Sequence, residues 1–308
     1  VSILYVSHRL DEVINLADRI IVLRDGKFID SLDANDATVN KLIERVAGRA
    51  IENLYQHVAE NNTSEDIVFE VRGLFYEDKV QDMSFKVHKG EILGIAGLPD
   101  SGKDEFIECL FGLRKYVGDI LINGKSVYIK SPTNAINNGL SFVPANRREV
   151  GSILSMNARD NIVAADIKEL NKFGFLDSKN IQVVAKNFVR KLSVKISSLA
   201  QIMRTISGGN QQKIILSRGL ATNPILLLLH EPTRGIDVGA KAEIYKILHK
   251  LTKMGATIII VSSELTELIA QCNRILVMHN GKIQGYFNQN EAEEKRIMSC
   301  LMGESVNL

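Results

Sequence analysis

Three stretches of the chain, Glu91 to Ala96, Ile225 to Leu229 and Thr257 to Val261, are apolar at almost every position. A strand with one wet face alternates apolar and polar residues, so a strand-length run without alternation must be covered on both faces, as parallel strands between helices are. Two other segments, Ile67-Val-Phe-Glu-Val71 and Met83-Ser-Phe-Lys-Val87, do alternate and predict half-exposed strands. Between Ser152 and Gly219 the pattern becomes mainly helical and polar, which predicts a helical subdomain at about 152–219 inserted in an α/β core. At 308 residues the chain is long enough to bury such a core.

An internal repeat organises the rest. Val6-Ser-His-Arg-Leu-Asp-Glu12 matches Val261-Ser-Ser-Glu-Leu-Thr-Glu267. At the same offset, Arg19-Ile-Ile-Val-Leu-Arg-Asp25-Gly26-Lys27 matches Arg274-Ile-Leu-Val-Met-His-Asn280-Gly281-Lys282. Each copy reads as a buried strand, a helix and a hairpin that turns at Asp25-Gly26 or Asn280-Gly281, dipeptides suited to positive φ. Only the second copy follows a full domain, so residues 1–45 are expected to be the tail of a domain whose front half is missing. Residues 46–66, ending in Glu60-Asn-Asn-Thr-Ser-Glu-Asp66, lose periodicity and read as a linker. The complete domain is expected over 67–308.

Composition narrows the partners. A net charge of +2 with 38 basic and 36 acidic residues provides no basic stripe for a phosphodiester backbone, so nucleic acid is not expected. Cys109, Cys272 and Cys300 lack metal or disulfide spacing and are expected to be reduced thiols in a cytosolic compartment. The longest apolar runs fall far below the roughly eighteen residues of a membrane helix, and the N-terminus has no leader pattern. Work at a membrane would require a partner embedded in it.

The chemistry is carried by three segments. Gly97-Leu-Pro-Asp100-Ser101-Gly102-Lys103-Asp104 satisfies G-x-x-x-x-G-K between a buried strand and a helix-compatible stretch, Glu105 to Phe111. In that context glycines and backbone amides wrap phosphates and Lys103 supplies a point charge. The Ser or Thr that would close the motif and hold a metal is Asp104. This residue is a candidate oxygen ligand for a hard cation, yet it also places negative charge beside a triphosphate. The apolar strand from Ile225 ends in His230-Glu231. A magnesium–nucleotide hydrolase ordinarily has an Asp and then a water-positioning Glu there, so His230 weakens metal organisation while Glu231 stays available as the catalytic carboxylate. The third segment, Ile206-Ser207-Gly208-Gly209-Asn210-Gln-Gln-Lys213, places a serine and two glycines at a helix start, a pattern for close approach to an anion.

These segments, with His230-Glu-Pro-Thr-Arg-Gly-Ile-Asp237 and Val261-Ser-Ser-Glu-Leu-Thr-Glu-Leu268, resemble the ATP-binding subunits of ABC importers for monosaccharides of the ribose, galactose and xylose class. The resemblance covers nearly the whole chain: 1 to about 45 as the end of a first cassette and about 67 to 303 as a second. It implies an α/β, P-loop ABC-type nucleotide-binding fold with a mostly parallel core sheet, an antiparallel β subdomain and an inserted helical subdomain. It also implies ATP and Mg2+ as ligands. Gly97, Asp100, Ser101, Gly102, Lys103 and Asp104 would form the phosphate loop, with Asp104 at the metal. Ser207, Gly208, Gly209 and Asn210 would press on the γ-phosphate of a nucleotide held by an opposing cassette. Glu231 would be catalytic, Asp237 would lie in the loop linking the two sites, and His8 would stand where a γ-phosphate sensor belongs. Implied partners are a second ABC cassette, integral-membrane permease subunits and, indirectly, a sugar-binding protein, with the chain peripheral at the cytoplasmic face of the membrane.

The departures from that pattern concentrate around one site. Asp104, Ala145, His230 and Ser263 replace four groups that organise metal, water or γ-phosphate. Since phosphoryl transfer depends on positioning and charge neutralisation, the isolated chain is expected to hydrolyse ATP weakly or not at all. Phe75 and Tyr76 offer a flat surface for a base or belong to the core. Arg147, Arg148 and Arg159 form a solvated face or one turned toward a permease. Two other readings stay open: a non-hydrolytic, regulatory or truncated remnant of such a subunit, and a soluble ABC ATPase acting on ribosomes or DNA. The short linker at 46–66 argues against the latter.

Overall fold

The computed structural model describes residues 1–7, 10–24, 27–38, 41–42, 45, 63–172 and 175–304. His8, the Asp25-Gly26 turn and most of the 46–66 linker lie outside the described residues. The N-terminal segment contains a helix, α1 (Leu10–Leu16), and an antiparallel pair, β1 (Arg19–Arg24) and β2 (Lys27–Asp33). It then continues into β3 (Ile67–Tyr76) and β4 (Val80–His88), followed by β5 (Ile92–Gly97) and α2 (Lys103–Leu110).

Next come β6 (Val117–Ile122), β7 (Lys125–Val127), α3 (Pro132–Asn137) and β8 (Leu140–Val143). The polar stretch that follows carries α4 (Ala158–Val163), two-residue strands β9 (Asn171–Lys172) and β10 (Phe175–Leu176), and α5 (Ser178–Lys191). The chain closes with α6 (Gly208–Ala221), β11 (Leu226–His230), α7 (Val238–Lys253), β12 (Thr257–Ser262), α8 (Leu265–Gln271), β13 (Arg274–His279), β14 (Lys282–Asn288) and α9 (Glu294–Leu301).

The three apolar runs become β5, β11 and β12, neighbours in a six-stranded sheet ordered β14-β13-β5-β12-β11-β8. Every pairing in it is parallel except that of β13 with β14. Leu227 to Leu229 and Ile258 to Ile260 are at most 1% exposed, and burying one such side chain contributes about 1.5–3 kcal/mol. The alternating segments form β3 and β4 of a separate antiparallel sheet ordered β4-β3-β6-β7. There Met83, Phe85 and Val87 face inward while Ser84 and Lys86 face water.

The helix and hairpin of the two repeat copies match, but the buried strand expected before the first helix does not form. Residues 1–7 have no secondary structure and are largely exposed, with no sheet partner among the described residues, whereas the second copy has the buried β12. Both hairpins pair in the same register, Arg19 with Asp33 and Arg274 with Asn288, and both carry an irregularity at the equivalent step, Val22/Leu23 and Val277/Met278. Their surroundings differ. Leu276 and Met278 are fully buried because β13 runs beside β5, whereas the equivalent Ile21 and Leu23 of the first copy are exposed.

Arg218, on α6, fastens the helical stretch to the core side. Its guanidinium donates to the Asn161 carbonyl oxygen at 2.7 Å, the Asn161 Oδ1 at 2.7 Å and the Gly151 carbonyl oxygen at 3.0 Å. Asn161 is itself fully buried and donates to the carbonyl oxygens of Ile153 and Asn157. Arg218→Met keeps the aliphatic stem and leaves those acceptors without their charged donor. The expected cost is about 2–3 kcal/mol, read as a lower urea midpoint at unchanged slope.

Candidate functional site

The site lies at the carboxyl ends of β5, β11 and β12, where parallel strands open toward helix N-termini. β5 ends at Gly97, and Gly97 to Lys103 loops into α2. Gly102 adopts φ +89°, and a Cβ there would stand 1.9 Å from the Lys79 carbonyl oxygen. A Cβ on Gly97 would stand 2.2 Å from Ser101 Oγ. The loop therefore closes only with glycine at both positions. The second hairpin supports it from outside, since the Gly281 amide donates to the Ser101 carbonyl oxygen at 2.9 Å. Ser101 is 95% removed from solvent, yet its hydroxyl has no partner among the described residues. A buried hydroxyl left open inside a glycine loop, next to an ammonium, fits a phosphate oxygen. Asp100 takes a positive φ of 65° at the loop's outer bend.

α2 begins at Lys103, which places Lys103 and Asp104 in its first turn. The Lys103 Nζ donates to Asp104 Oδ1 at 2.8 Å, and the same oxygen lies 3.0 Å from His230 Nε2. The His230 and Lys103 contacts, led by the His230 hydrogen bond, hold the Asp104 carboxyl well below the ordinary carboxylate range. One carboxylate oxygen is thus shared between two nitrogen groups at the position where the motif would place a metal-binding hydroxyl. Magnesium requires near-octahedral oxygen coordination. Here the strand-end group is an imidazole, Ala145 offers no side-chain donor, and Asp104 Oδ1 is already engaged. The residues fit a phosphate and do not fit magnesium.

His230 closes β11, and its ring lies 6.4 Å from that of Phe142. The next residue, Glu231, turns into the left-handed region at φ +48° and is buried. Its Oε1 accepts from the Ser263 amide at 2.8 Å and its amide donates to the Val261 carbonyl oxygen at 2.8 Å. The carboxylate is therefore aimed by the end of β12 rather than solvated. Ser263, which stands where the resemblance would expect a γ-phosphate sensor, contributes its backbone amide.

Ser207 is the N-cap residue of α6 but makes no side-chain cap bond. Its hydroxyl instead accepts from Asn210 Nδ2 at 2.9 Å, and Asn210 Oδ1 accepts from the Lys195 amide at 2.7 Å. The first-turn amides of α6 are thus left without a side-chain cap, as an anion-facing helix start requires. Gly208 packs beneath Arg147, whose Nη2 would be 3.0 Å from a Cβ, and Gly209 would place a Cβ 2.6 Å from that of Ala240. Arg147 is half-buried, with Nε and Nη1 unpartnered among the described residues. Burial, followed by the neighbouring Arg148, pushes its pKa down. Lys213, at the other end of the motif, bonds Glu243 Oε2 at 2.6 Å and the Ser193 carbonyl oxygen at 3.0 Å. Asp237 caps α7, its Oδ1 accepting from the Ala240 amide at 2.9 Å.

Sequence reasoning missed the polar cluster that fixes the loop after Glu231. Glu267, 1% exposed, accepts from Thr233 Oγ1 at 2.6 Å, from the Tyr245 hydroxyl and from Lys241 Nζ at 2.7 Å. Lys241 also pairs with Glu264. The cluster joins the β11 loop, α7 and α8. Its sequence signal is one acidic residue, Glu267, in an otherwise largely apolar helix, Leu265-Thr-Glu-Leu-Ile-Ala-Gln271. Tyr76 is likewise committed, accepting from Arg114 Nη1 at 2.9 Å with the guanidinium 5.2 Å from its ring centre, whereas Phe75 is exposed.

Comparison with known proteins agrees with this geometry. Among solved structures the chain resembles the ADP conformation of MJ1267, an ATP-binding cassette of an ABC transporter. The TM-score is 0.66 at 20% identity, covering 77% of this chain and 99% of that one. It also resembles cbiO1 from Clostridium perfringens, part of the ABC transporter complex cbiONQ, with a TM-score of 0.64 at 21% identity over 76% and 93%. Curated relatives are closer in sequence. The ribose import ATP-binding protein RbsA of Clostridium tetani is 39% identical over 97% of this chain and 59% of its own length. RbsA of Bacillus cereus and the xylose import ATP-binding protein XylG of Thermoanaerobacter pseudethanolicus are each 38% identical over 98% of this chain and 61% of theirs. The chain thus spans about three fifths of the length of the curated relatives it matches. The ABC transporter family model matches residues 80–234, half of the chain, and the chain belongs to that family.

Proposed function

We propose that this chain is the ATP-binding part of a monosaccharide importer, coupling nucleotide binding to the movement of a membrane permease. The observation that carries the reading is the glycine-closed loop at the end of β5, with its unpartnered Ser101 hydroxyl and Lys103 ammonium, in a chain 38–39% identical to sugar-import ATP-binding proteins. Lys103, Ser101 and the loop amides would bind the phosphates of ATP. The uncapped start of α6, from Ser207 to Asn210, would complete the nucleotide site of a second cassette across the interface. Arg147 beside Gly208 adds a donor on the same side. Among the described residues no helix is long and apolar enough to cross a membrane. The partners that would place this chain at the cytoplasmic face are integral-membrane permease subunits, and a sugar-binding protein would deliver the cargo to them.

Hydrolysis in this cassette is proposed to be weak. Glu231 is buried and aimed by the Ser263 amide, so a base that can orient water is retained. The groups that would neutralise charge around the γ-phosphate are not: Asp104 is bound to Lys103 and His230, and Ala145 is inert. Loss of such charge stabilisation removes several powers of ten in rate.

Two outcomes follow for the purified chain. ATP raises the melting temperature, with about 2.7 kcal/mol of stabilisation at one hundred times Kd, and Lys103→Ala abolishes the shift. Steady-state phosphate release stays below about 1 per second; a faster rate rejects the weak-site reading. With a permease and an intact opposing cassette reconstituted, substitutions at Ser207 and Glu231 separate the two sites. Ser207→Arg stops transport-coupled hydrolysis by blocking the partner site. Glu231→Gln, which keeps the Ser263 contact, leaves the ATP-induced thermal shift intact and lowers only hydrolysis in its own site.

A further inference from the structure

Resting on the reading of the β5 loop as an ATP site, we propose that this cassette takes its nucleotide without a divalent cation, Asp104 being the resident anion that the incoming phosphate displaces from Lys103. Three observations lead there. First, the loop is complete for an anion: Gly97 and Gly102 admit no Cβ, the Ser101 hydroxyl is buried without a partner, and the Lys103 ammonium is nearly fully buried beside it. Second, the cation positions are filled by other chemistry. Asp104 Oδ1 lies 2.8 Å from Lys103 Nζ and 3.0 Å from His230 Nε2, and no group of three or more His, Cys, Asp or Glu side chains among the described residues is placed to hold a metal. Third, the bridging carboxylate has somewhere to go. Its side chain is about half exposed, and His230, only 12% exposed, remains as its partner when Lys103 turns to a phosphate oxygen.

The exchange leaves each of these groups with a partner. In the resting arrangement Lys103 and His230 both face Asp104. With nucleotide bound, Lys103 pairs with phosphate and Asp104 pairs with His230. A divalent ion placed between Asp104 and the phosphate would find only Asp104 Oδ2 open to it and would lack the strand-end carboxylate and Ala145-position ligand that would complete its shell. Magnesium dehydrates reluctantly and tolerates little departure from its octahedron. The remaining like-charge contact, Asp104 against the phosphate, limits affinity.

The test is ATP titration calorimetry on the purified full chain, in EDTA and in excess Mg2+, with Mn2+ as a further arm. The expected result is binding in EDTA with Kd changed by less than about threefold by either metal. Tightening of about tenfold or more by Mg2+ or Mn2+ overturns the inference while leaving the nucleotide-binding function standing. Absence of binding in every buffer overturns both. Asp104→Asn, which keeps the shape and removes the charge, is expected to tighten ATP about tenfold with and without metal; an unchanged or weakened Kd counts against Asp104 as the limiting anion. The pair Asp104→Ser with His230→Asp, checked for folding by its thermal transition, is expected to acquire a Mg2+ dependence of about tenfold or more. If that pair folds and binds ATP equally in EDTA and Mg2+, the metal choice does not reside in these residues and the inference fails.

Discussion

The parallel packing of β5 between β12 and β13 is the constraint on which everything else depends. Because β5, β11 and β12 are buried on both faces, they end together at one edge, and the chain must leave each of them on the same side to reach its covering helix. That edge carries the glycine loop after β5, His230 at the end of β11 with Glu231 beyond it, and Ser262 at the end of β12 with Ser263 beyond it. The register of these pairings sets where the side chains stand: His230 is level with Val261, and Val261 with Ile95. A slip of one residue would turn His230 away from Asp104.

Rigidity at the site comes from polar groups sequestered behind it. Glu267 gathers Thr233, Tyr245 and Lys241 and so holds the loop after Glu231 to α7 and α8. Burial of Glu267 without those donors would be costly, and with them it fixes the loop in a single arrangement. Gly281 plays the matching role for the phosphate loop, donating to Ser101 from the hairpin of the second repeat copy. The second copy therefore does more than close the sheet, because its turn props the glycine loop after β5. In the first copy the same hairpin register is kept while its apolar face, Ile21 and Leu23, is exposed.

Much of this was legible beforehand. Unbroken apolar runs gave the buried strands, alternation gave the antiparallel sheet, and G-x-x-x-x-G-K after a strand located the phosphate loop. The departures Asp104, Ala145 and His230 stand out singly, because each breaks a local rule at a recognisable place. Their relation could not. Asp104 and His230 are 126 positions apart, and no periodicity signals that one carboxylate oxygen serves both His230 and Lys103. Arg147 over Gly208 and Arg218 under Asn161 were equally silent, since a surface arginine and a buried one look alike in a helix-rich polar stretch.

The sequence by itself determined the buried strands of the core, the place of the glycine loop and which family the motifs resemble, because these depend on local periodicity, glycine placement and short spacing. Tertiary structure alone decided that two of the altered residues, Asp104 and His230, meet in one hydrogen bond beside Lys103. Hydrogen bonding between Asp104, Lys103 and His230 requires strands β5 and β11 to lie one strand apart with their ends level. Only the folded sheet, by burying three strands in a fixed register, brings those atoms within 3.0 Å.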